Sequence, residues 1–276
     1  AHEFELMSLK HINKSKAHLF LIKKLELFLI KRSAFSIMVN DSIADEVQRI
    51  HKLKERPIVV RNTPSYWELN QVEISRTREF LCNLLNVSKD TFLLMYHGAI
   101  DASRGIESIL SAISNTDGTA VIILGNGNAS YIQSLKDNCI SLGIQNRILF
   151  LNAVPLRELY KYVGAADCGI ILVNGIQCGK KVSYYYGLGN KFFENIQSLT
   201  PIISSNIPEQ HKLINYYNIG ITVDPGNLDE IVSSINLLKN DKELYAKFKN
   251  NLKKAKDDLC WENEKSVLEK AYKMIM

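Results

Sequence analysis

The stretch TFLLMYHGAIDASRGIESILSAISNTDGTAVIILGNGNAS, Thr91 to Ser130, carries the reading that decides the fold. Two runs rich in Leu, Ile and Val, residues 91–97 and 119–125, bracket ESILSAIS, whose apolar positions recur at helical spacing. Strands covered on both faces read as near-continuous apolar runs, and a helix between two of them is the usual crossover of a parallel pair. Each run ends on glycine, His97-Gly98 in the first and Gly125-Asn126-Gly127 in the second.

The rhythm continues outward. Strand-like runs lie at 56–61, 147–151, 167–173, 201–205 and 219–223, with helical spacing in ASYIQSLKDNCISL, LRELYKYVGA and NKFFENIQS between most of them. This alternation predicts an α/β fold with a parallel sheet covered on both faces. After Val223 the pattern is helical to the end. Near the start, KAHLFLIKKLELFLIKR reads as an apolar helix, AFSIMVN as a strand, and DSIADEVQRIH as a helix capped by Asp41 or Ser42. Residues 61–79 are polar and carry turn residues; they read as a linker between a short N-terminal piece and a complete C-terminal domain.

With 276 residues the chain is long enough for one large domain or two modest ones. Apolar residues at 46% and charged residues at 23% fit an ordinary globular protein. A formal charge of +5 suits anionic ligands or a membrane surface but falls short of a nucleic-acid signature, and no basic block is interleaved with aromatics. The five cysteines form no C-x-x-C pair, which argues against a disulfide framework or zinc site and favours a reducing cytosol. Cys168 and Cys178 read as packing residues. No run reaches the ~18 apolar residues of a membrane span. The opening AHEFELMSLK has neither an initiator Met nor a signal peptide and reads as if entered mid-protein.

Ligands of parallel sheets bind in the loops beyond the carboxyl ends of the strands, and three loops stand out. In YHGAIDASRGIESIL, Gly98 allows close backbone approach and Arg104 precedes a helix; the choice lies between an anion site and a plain turn with a solvated arginine. In ILGNGNAS, Gly125, Asn126 and Gly127 form either a tight turn or a ligand loop, and Asn128 is placed to cap the next helix. In YGLGNKFFE, Gly187 and Gly189 precede a helix starting near Asn190, so free amides and the positive dipole end favour an anion beside Lys191. Glu194 either pairs with Lys191 at i, i+3 or accepts hydrogen bonds from a vicinal diol such as ribose.

The ordered set H-G-…-R-G, I-L-G-N-G, R-I-L-F-L-N-A-V, A-D-C-G-I-I-L-V, Y-G-L-G-N-K-F-F-E and T-P-I-I-S-S resembles the C-terminal half of family 4 glycosyltransferases, which have the GT-B fold. The likeness runs from about Pro57 to Lys273 and is nearest to bacterial enzymes of capsule, O-antigen or exopolysaccharide assembly. It implies a complete C-terminal Rossmann-like domain plus a remnant of the N-terminal one. On this reading residues 1–64 are the acceptor-side remnant, 65–255 the nucleotide-sugar domain, and 256–276 a helix returning to the first domain. By resemblance Glu194, closing the E-x7-E motif, holds the ribose. The amides near Leu188, Gly189 and Asn190 face the donor sugar and phosphate, with Lys191 close by and no role fixed for it. Arg104 neutralises the diphosphate, and Asn152, Ala153 and Val154 bracket the base. His2, in AHEF, would be the active-site histidine of the acceptor side.

Two departures stand out. Tyr186 occupies the place of the motif's first glutamate, and Ala99 that of an arginine after the first glycine, leaving one cation fewer for the diphosphate. The resemblance implies retaining transfer from a UDP- or GDP-linked sugar to a glycan or lipid-linked acceptor in surface polysaccharide synthesis. It implies no metal and no cofactor, and a cytoplasmic site at or near the inner face of the membrane. The first strands of the acceptor domain would be missing, so the chain as given is expected to bind donor without transferring sugar. The rival readings are a GT-B-fold sugar-nucleotide epimerase, for which acid and base carboxylates are not found, and a non-catalytic nucleotide-binding fragment. The helix at 18–32, with Lys23, Lys24, Lys31 and Arg32 among its apolar residues, is either a contact for an anionic membrane or a core helix of the first domain.

Overall fold

The computed structural model describes residues 15–173 and 187–274. Helix α1 (Lys16–Arg32) precedes a small βαβ unit of β1 (Ile37–Met38), α2 (Asp41–His51) and β2 (Ile58–Val59), whose two strands pair in parallel. Then follow α3 (Gln71–Leu85), β3 (Phe92–His97), a short 3₁₀ turn (Ala102–Arg104), α4 (Ile106–Ser114), β4 (Thr119–Leu124), α5 (Ala129–Ser141), β5 (Ile148–Leu151), α6 (Leu156–Ala165) and β6 (Cys168–Ile171). The chain closes with α7 (Asn190–Gln197), β7 (Ile202–Ser205), α8 (Pro208–Tyr217), β8 (Gly220–Val223), α9 (Leu228–Asn240), α10 (Lys242–Asp258) and α11 (Trp261–Lys273).

Strands β3 to β8 form one parallel sheet in the order β5-β4-β3-β6-β7-β8. All six residues of β3 and of β4 are buried, which explains their unbroken apolar sequence. Period-two alternation sends Phe92, Leu94, Tyr96, Val121 and Ile123 into a core with α4, α5 and α9. Leu93, Met95, Ala120 and Ile122 go to the opposite face, into a core with α3 and α6. A third cluster joins Phe192, Phe193 and Ile196 of α7 to Leu213 and Ile214 of α8 and Leu252 of α10. The strand order reverses between β3 and β6, and an open sheet leaves its ligand crevice at such a switch point.

Two sequence expectations need correction, and one helix was not read. The N-cap of α2 is Asn40, whose side chain accepts from the Ile43 amide at 2.8 Å, rather than Asp41 or Ser42. Asp41 is instead held by Arg56 and Arg61 at 2.8 and 2.6 Å. The segment 61–79 is not all linker: Asn70 caps α3, whose Ile74, Leu81, Cys82 and Leu85 are buried while Val72, Phe80 and Leu84 are exposed among its polar residues. Helix α8 went unread because its buried face includes Glu209 and Gln210 among few apolar residues. Asn128 does cap α5, accepting from the Ser130 amide at 2.9 Å.

Contacts tie the small unit to the large sheet. Glu209 of α8 is almost wholly buried and accepts from the amide and hydroxyl of Ser42. The Arg61 amide donates to Glu264 of α11 at 2.8 Å, and Phe35 meets Tyr272 edge-on. On α1, Phe20, Leu21, Leu25, Phe28 and Leu29 are exposed, while Glu26 reaches His51 at 2.8 Å. No helix among the described residues is long and apolar enough to cross a membrane.

Candidate nucleotide-diphosphate site

Strand β3 delivers two side chains to the switch point. Tyr96 and His97 are its last residues, and both are buried. Gly98 follows with φ +110°, a backbone that side-chain-bearing residues rarely adopt. Segment 187–194, which follows β6 in the chain, brings Lys191 and Glu194 to the same place. His97 Nε2 and Glu194 Oε2 lie 2.9 Å apart, and both residues are buried. Lys191 Nζ donates to the Tyr96 hydroxyl at 2.8 Å and sits 4.1 Å from the centre of that ring. Neither Lys191 nor Glu194 therefore uses the other as its close partner. A Cβ on Gly98 would lie 2.5 Å from Lys191 Cε, so the missing side chain makes room for the lysine.

The electrostatics follow from burial. Desolvation pushes the Lys191 ammonium down to about 7, and the charge of Arg104 pushes the same way against weaker pulls from Asp101 and Glu194. Arg104 Nε meets Asp101 Oδ2 at 3.1 Å, with its side chain 39% exposed and so open to solvent or ligand. Burial pushes the Asp101 carboxyl up, but hydrogen bonds from Ser103 and the charge of Arg104 outweigh it and hold the group below its ordinary range. Burial raises the Tyr96 phenol, keeping it neutral and able to donate to the Ala99 carbonyl while it accepts from Lys191. Two cations share one edge, and one of them is largely stripped of water.

The remaining loops are zipped beside them. The Gly98 amide donates to Leu124 O and the Ile100 amide to Asn126 O, each at 2.9 Å, and Ile100 bridges Gly127. A Cβ on Gly125 would stand 1.8 Å from Gly98 O, and one on Gly127 2.3 Å from Ile100 O. Both glycines are thus explained by loop-on-loop packing without any ligand. Asn126 Oδ1 accepts from the Ala153 amide at 3.2 Å, joining the second loop to the third. Asn152 and Ala153 are exposed, and Val154 packs half-buried against the core beside α6. Leu188 is half-buried against the α7 core, Gly189 caps α7 without a side-chain bond, and Asn190 accepts from Asn62 of the segment after β2 at 3.0 Å. His2, Tyr186 and Cys178 lie outside the described residues. Cys168 is fully buried in the core, where desolvation raises its thiol.

The structure thus gathers Gly98, Arg104, Lys191 and Glu194 at one edge. Sequence reasoning missed Tyr96 and His97 as the residues holding Lys191 and Glu194. The available signal was their place at the end of a buried strand, just before a glycine. Among the described residues no three His, Cys, Asp or Glu side chains are gathered as a metal would require.

Comparison with known proteins agrees with this architecture. An uncharacterized glycosyltransferase of Methanocaldococcus jannaschii is 26% identical over 251 residues, covering 87% of this chain and 60% of the relative, so the chain spans less than two thirds of that protein. The structure of Anabaena HepE, solved in complex with UDP, superposes with a TM-score of 0.78 at 14% identity, covering 99% of this chain and 70% of that one. Sucrose-phosphate synthase from Thermosynechococcus elongatus superposes with a TM-score of 0.73 at 15% identity, covering 96% and 65%. At such identities the two structures speak for the GT-B fold alone. The model of the family described as glycosyl transferases group 1 matches residues 78–255, more than half of the chain and all of the sheet described above, and the chain belongs to that family.

Proposed function

We propose that the chain carries the donor site of a retaining, family 4 glycosyltransferase that moves a sugar from a nucleotide diphosphate to a glycan or lipid-linked acceptor in surface polysaccharide synthesis. The observation behind this reading is the meeting of Lys191, Arg104 and the His97–Glu194 pair at the switch point of the sheet. Glu194, oriented by His97, accepts hydrogen bonds from the ribose hydroxyls. Arg104 and Lys191 meet the diphosphate, together with the amides at the start of α7. Such preorganised donors are worth ~3 kcal/mol each in a transition state where charge builds on a leaving group. The loops at 126–127 and 152–154 flank the base. The nucleotide is a UDP- or GDP-linked sugar on this reading. Transfer is metal-independent on this reading, and the acceptor lies across the cleft on the side of the small βαβ unit. The setting is the cytoplasmic face of the membrane.

A thermal-shift screen of nucleotide sugars, followed by a radiolabelled-donor transfer assay with lipid extract, tests this. A nucleotide sugar that stabilises the protein supports the donor site, and label transfer by the chain or by a version extended upstream supports the activity. Stabilisation by none of them contradicts it.

A further inference from the structure

The Lys191 side chain is an unusual cation. Its ammonium has three donors, and among the described residues it spends one on the Tyr96 hydroxyl and rests against the face of that ring. No carboxylate among the described residues lies within ion-pair distance of it. A compact ammonium is strongly hydrated in water, so this placement leaves its charge poorly compensated. The groups facing it are Tyr96 of β3, Asp101 and Arg104 of the loop after β3, and Glu194 one turn on in α7. Asp101 is engaged by Ser103 and Arg104, and one oxygen of Glu194 by His97, and neither acid forms an ion pair with Lys191.

The fold nevertheless holds the lysine there. Gly98 clears the space that Lys191 Cε occupies, and the Ala99 carbonyl fixes the Tyr96 hydroxyl that receives the ammonium. An ammonium desolvated beside a guanidinium, with no acid partner among the described residues, is stabilised by an anion that reaches both. Ala99 itself supplies no charge, so the second cation of the edge comes from α7 instead of the β3 loop. Resting on the donor-site reading, we propose that Lys191, positioned by Tyr96, is a proton-coupled half of a two-cation clamp with Arg104, so that a diphosphate binds here together with one proton. The free amine is partly neutral at physiological pH, because burial and Arg104 lower its proton affinity to about 7. A diphosphate between the two cations reverses that balance and draws the proton on.

The sign follows from linkage. Affinity is flat below the free-state value near 7 and falls as pH rises toward the raised bound-state value, by up to about tenfold per pH unit. A guanidinium stays charged throughout, so Lys191→Arg removes the dependence. Tyr96→Phe removes the hydroxyl that receives the ammonium and moves the pH at which affinity begins to fall.

Calorimetric titration with UDP-glucose, UDP-N-acetylglucosamine and GDP-mannose tests this, because the diphosphate of a nucleotide sugar does not itself titrate near neutrality. Run at pH 8 in two buffers of different ionisation enthalpy, the wild-type protein is expected to take up close to one proton per ligand, and Lys191→Arg and Lys191→Met close to none. Wild-type affinity should fall roughly tenfold from pH 7.5 to 8.5, while that of Lys191→Arg stays level. Binding with no proton uptake and no slope would overturn the inference and leave the donor site standing. Binding of none of the three ligands would overturn the donor reading and this inference with it. Circular dichroism and melting of each variant separate misfolding from lost charge.

Discussion

His97 Nε2 and the Glu194 carboxylate sit 2.9 Å apart at the buried end of β3, joining two residues 97 positions apart in the chain. The imidazole fixes one oxygen of a carboxylate that would otherwise rotate. The other oxygen is then held in a defined place.

His97→Ala should therefore act twice. It strips a partner from a buried carboxylate, at a cost of about 1–3 kcal/mol of stability, and it loosens Glu194 toward its ligand. Urea unfolding and nucleotide calorimetry on the variant check this. A variant equally stable and equally tight in binding would reduce the contact to coincidence.

Arg104→Ala should weaken a nucleoside diphosphate far more than the matching nucleoside, since only the former carries the charge that the guanidinium meets. The side chain is partly exposed and, among the described residues, makes only a local bond to Asp101, so folding should be little affected. Parallel titrations of UDP and uridine decide it. Equal loss for both ligands would make the effect structural.

The glycines of the loops allow a comparison within the protein. Gly125→Ala drives a methyl into the Gly98 carbonyl and should cost 1–3 kcal/mol or more by overpacking. Gly143→Ala meets nothing within 4 Å and bears only the strain of φ +67°, roughly 1–2 kcal/mol. Melting temperatures of the two variants should rank in that order. The reverse ranking would argue that the loops after β3 and β4 are not packed as described.

On α1 the apolar side chains of Phe20, Leu21, Leu25, Phe28 and Leu29 face solvent, with Lys24 over the Phe20 ring and Arg32 over Phe28. A membrane contact predicts sedimentation with vesicles containing anionic lipid, weakened by salt and by Leu21→Ser with Leu25→Ser. Indifference to vesicles would reject that contact.

Much of this was legible in order but not in pairing. Buried parallel strands announce themselves because both faces need apolar residues, and the runs at 91–97 and 119–125 read directly as β3 and β4. Glu194, Lys191, Arg104 and Gly98 were visible as polar or glycine positions at strand and helix ends. Their partners were not, because Tyr96 reaches Lys191 and His97 reaches Glu194 only once the sheet forms. For the same reason the i, i+3 pairing of Lys191 with Glu194, one of two readings open in the sequence, gives way to tertiary partners. The polar residues at the start of α3 hid a helix in what read as a linker, and the Ser42–Glu209 contact between units has no local signal at all.

The most direct test of the donor site is calorimetry of nucleotide sugars on the wild-type protein beside Glu194→Gln. The neutral amide keeps size and fold but loses the carboxylate that His97 orients. The account predicts specific binding of at least one nucleotide sugar, weakened in the variant by about 1–3 kcal/mol with the fold intact. Equal affinity in both proteins, or binding of no nucleotide sugar by either, would contradict it.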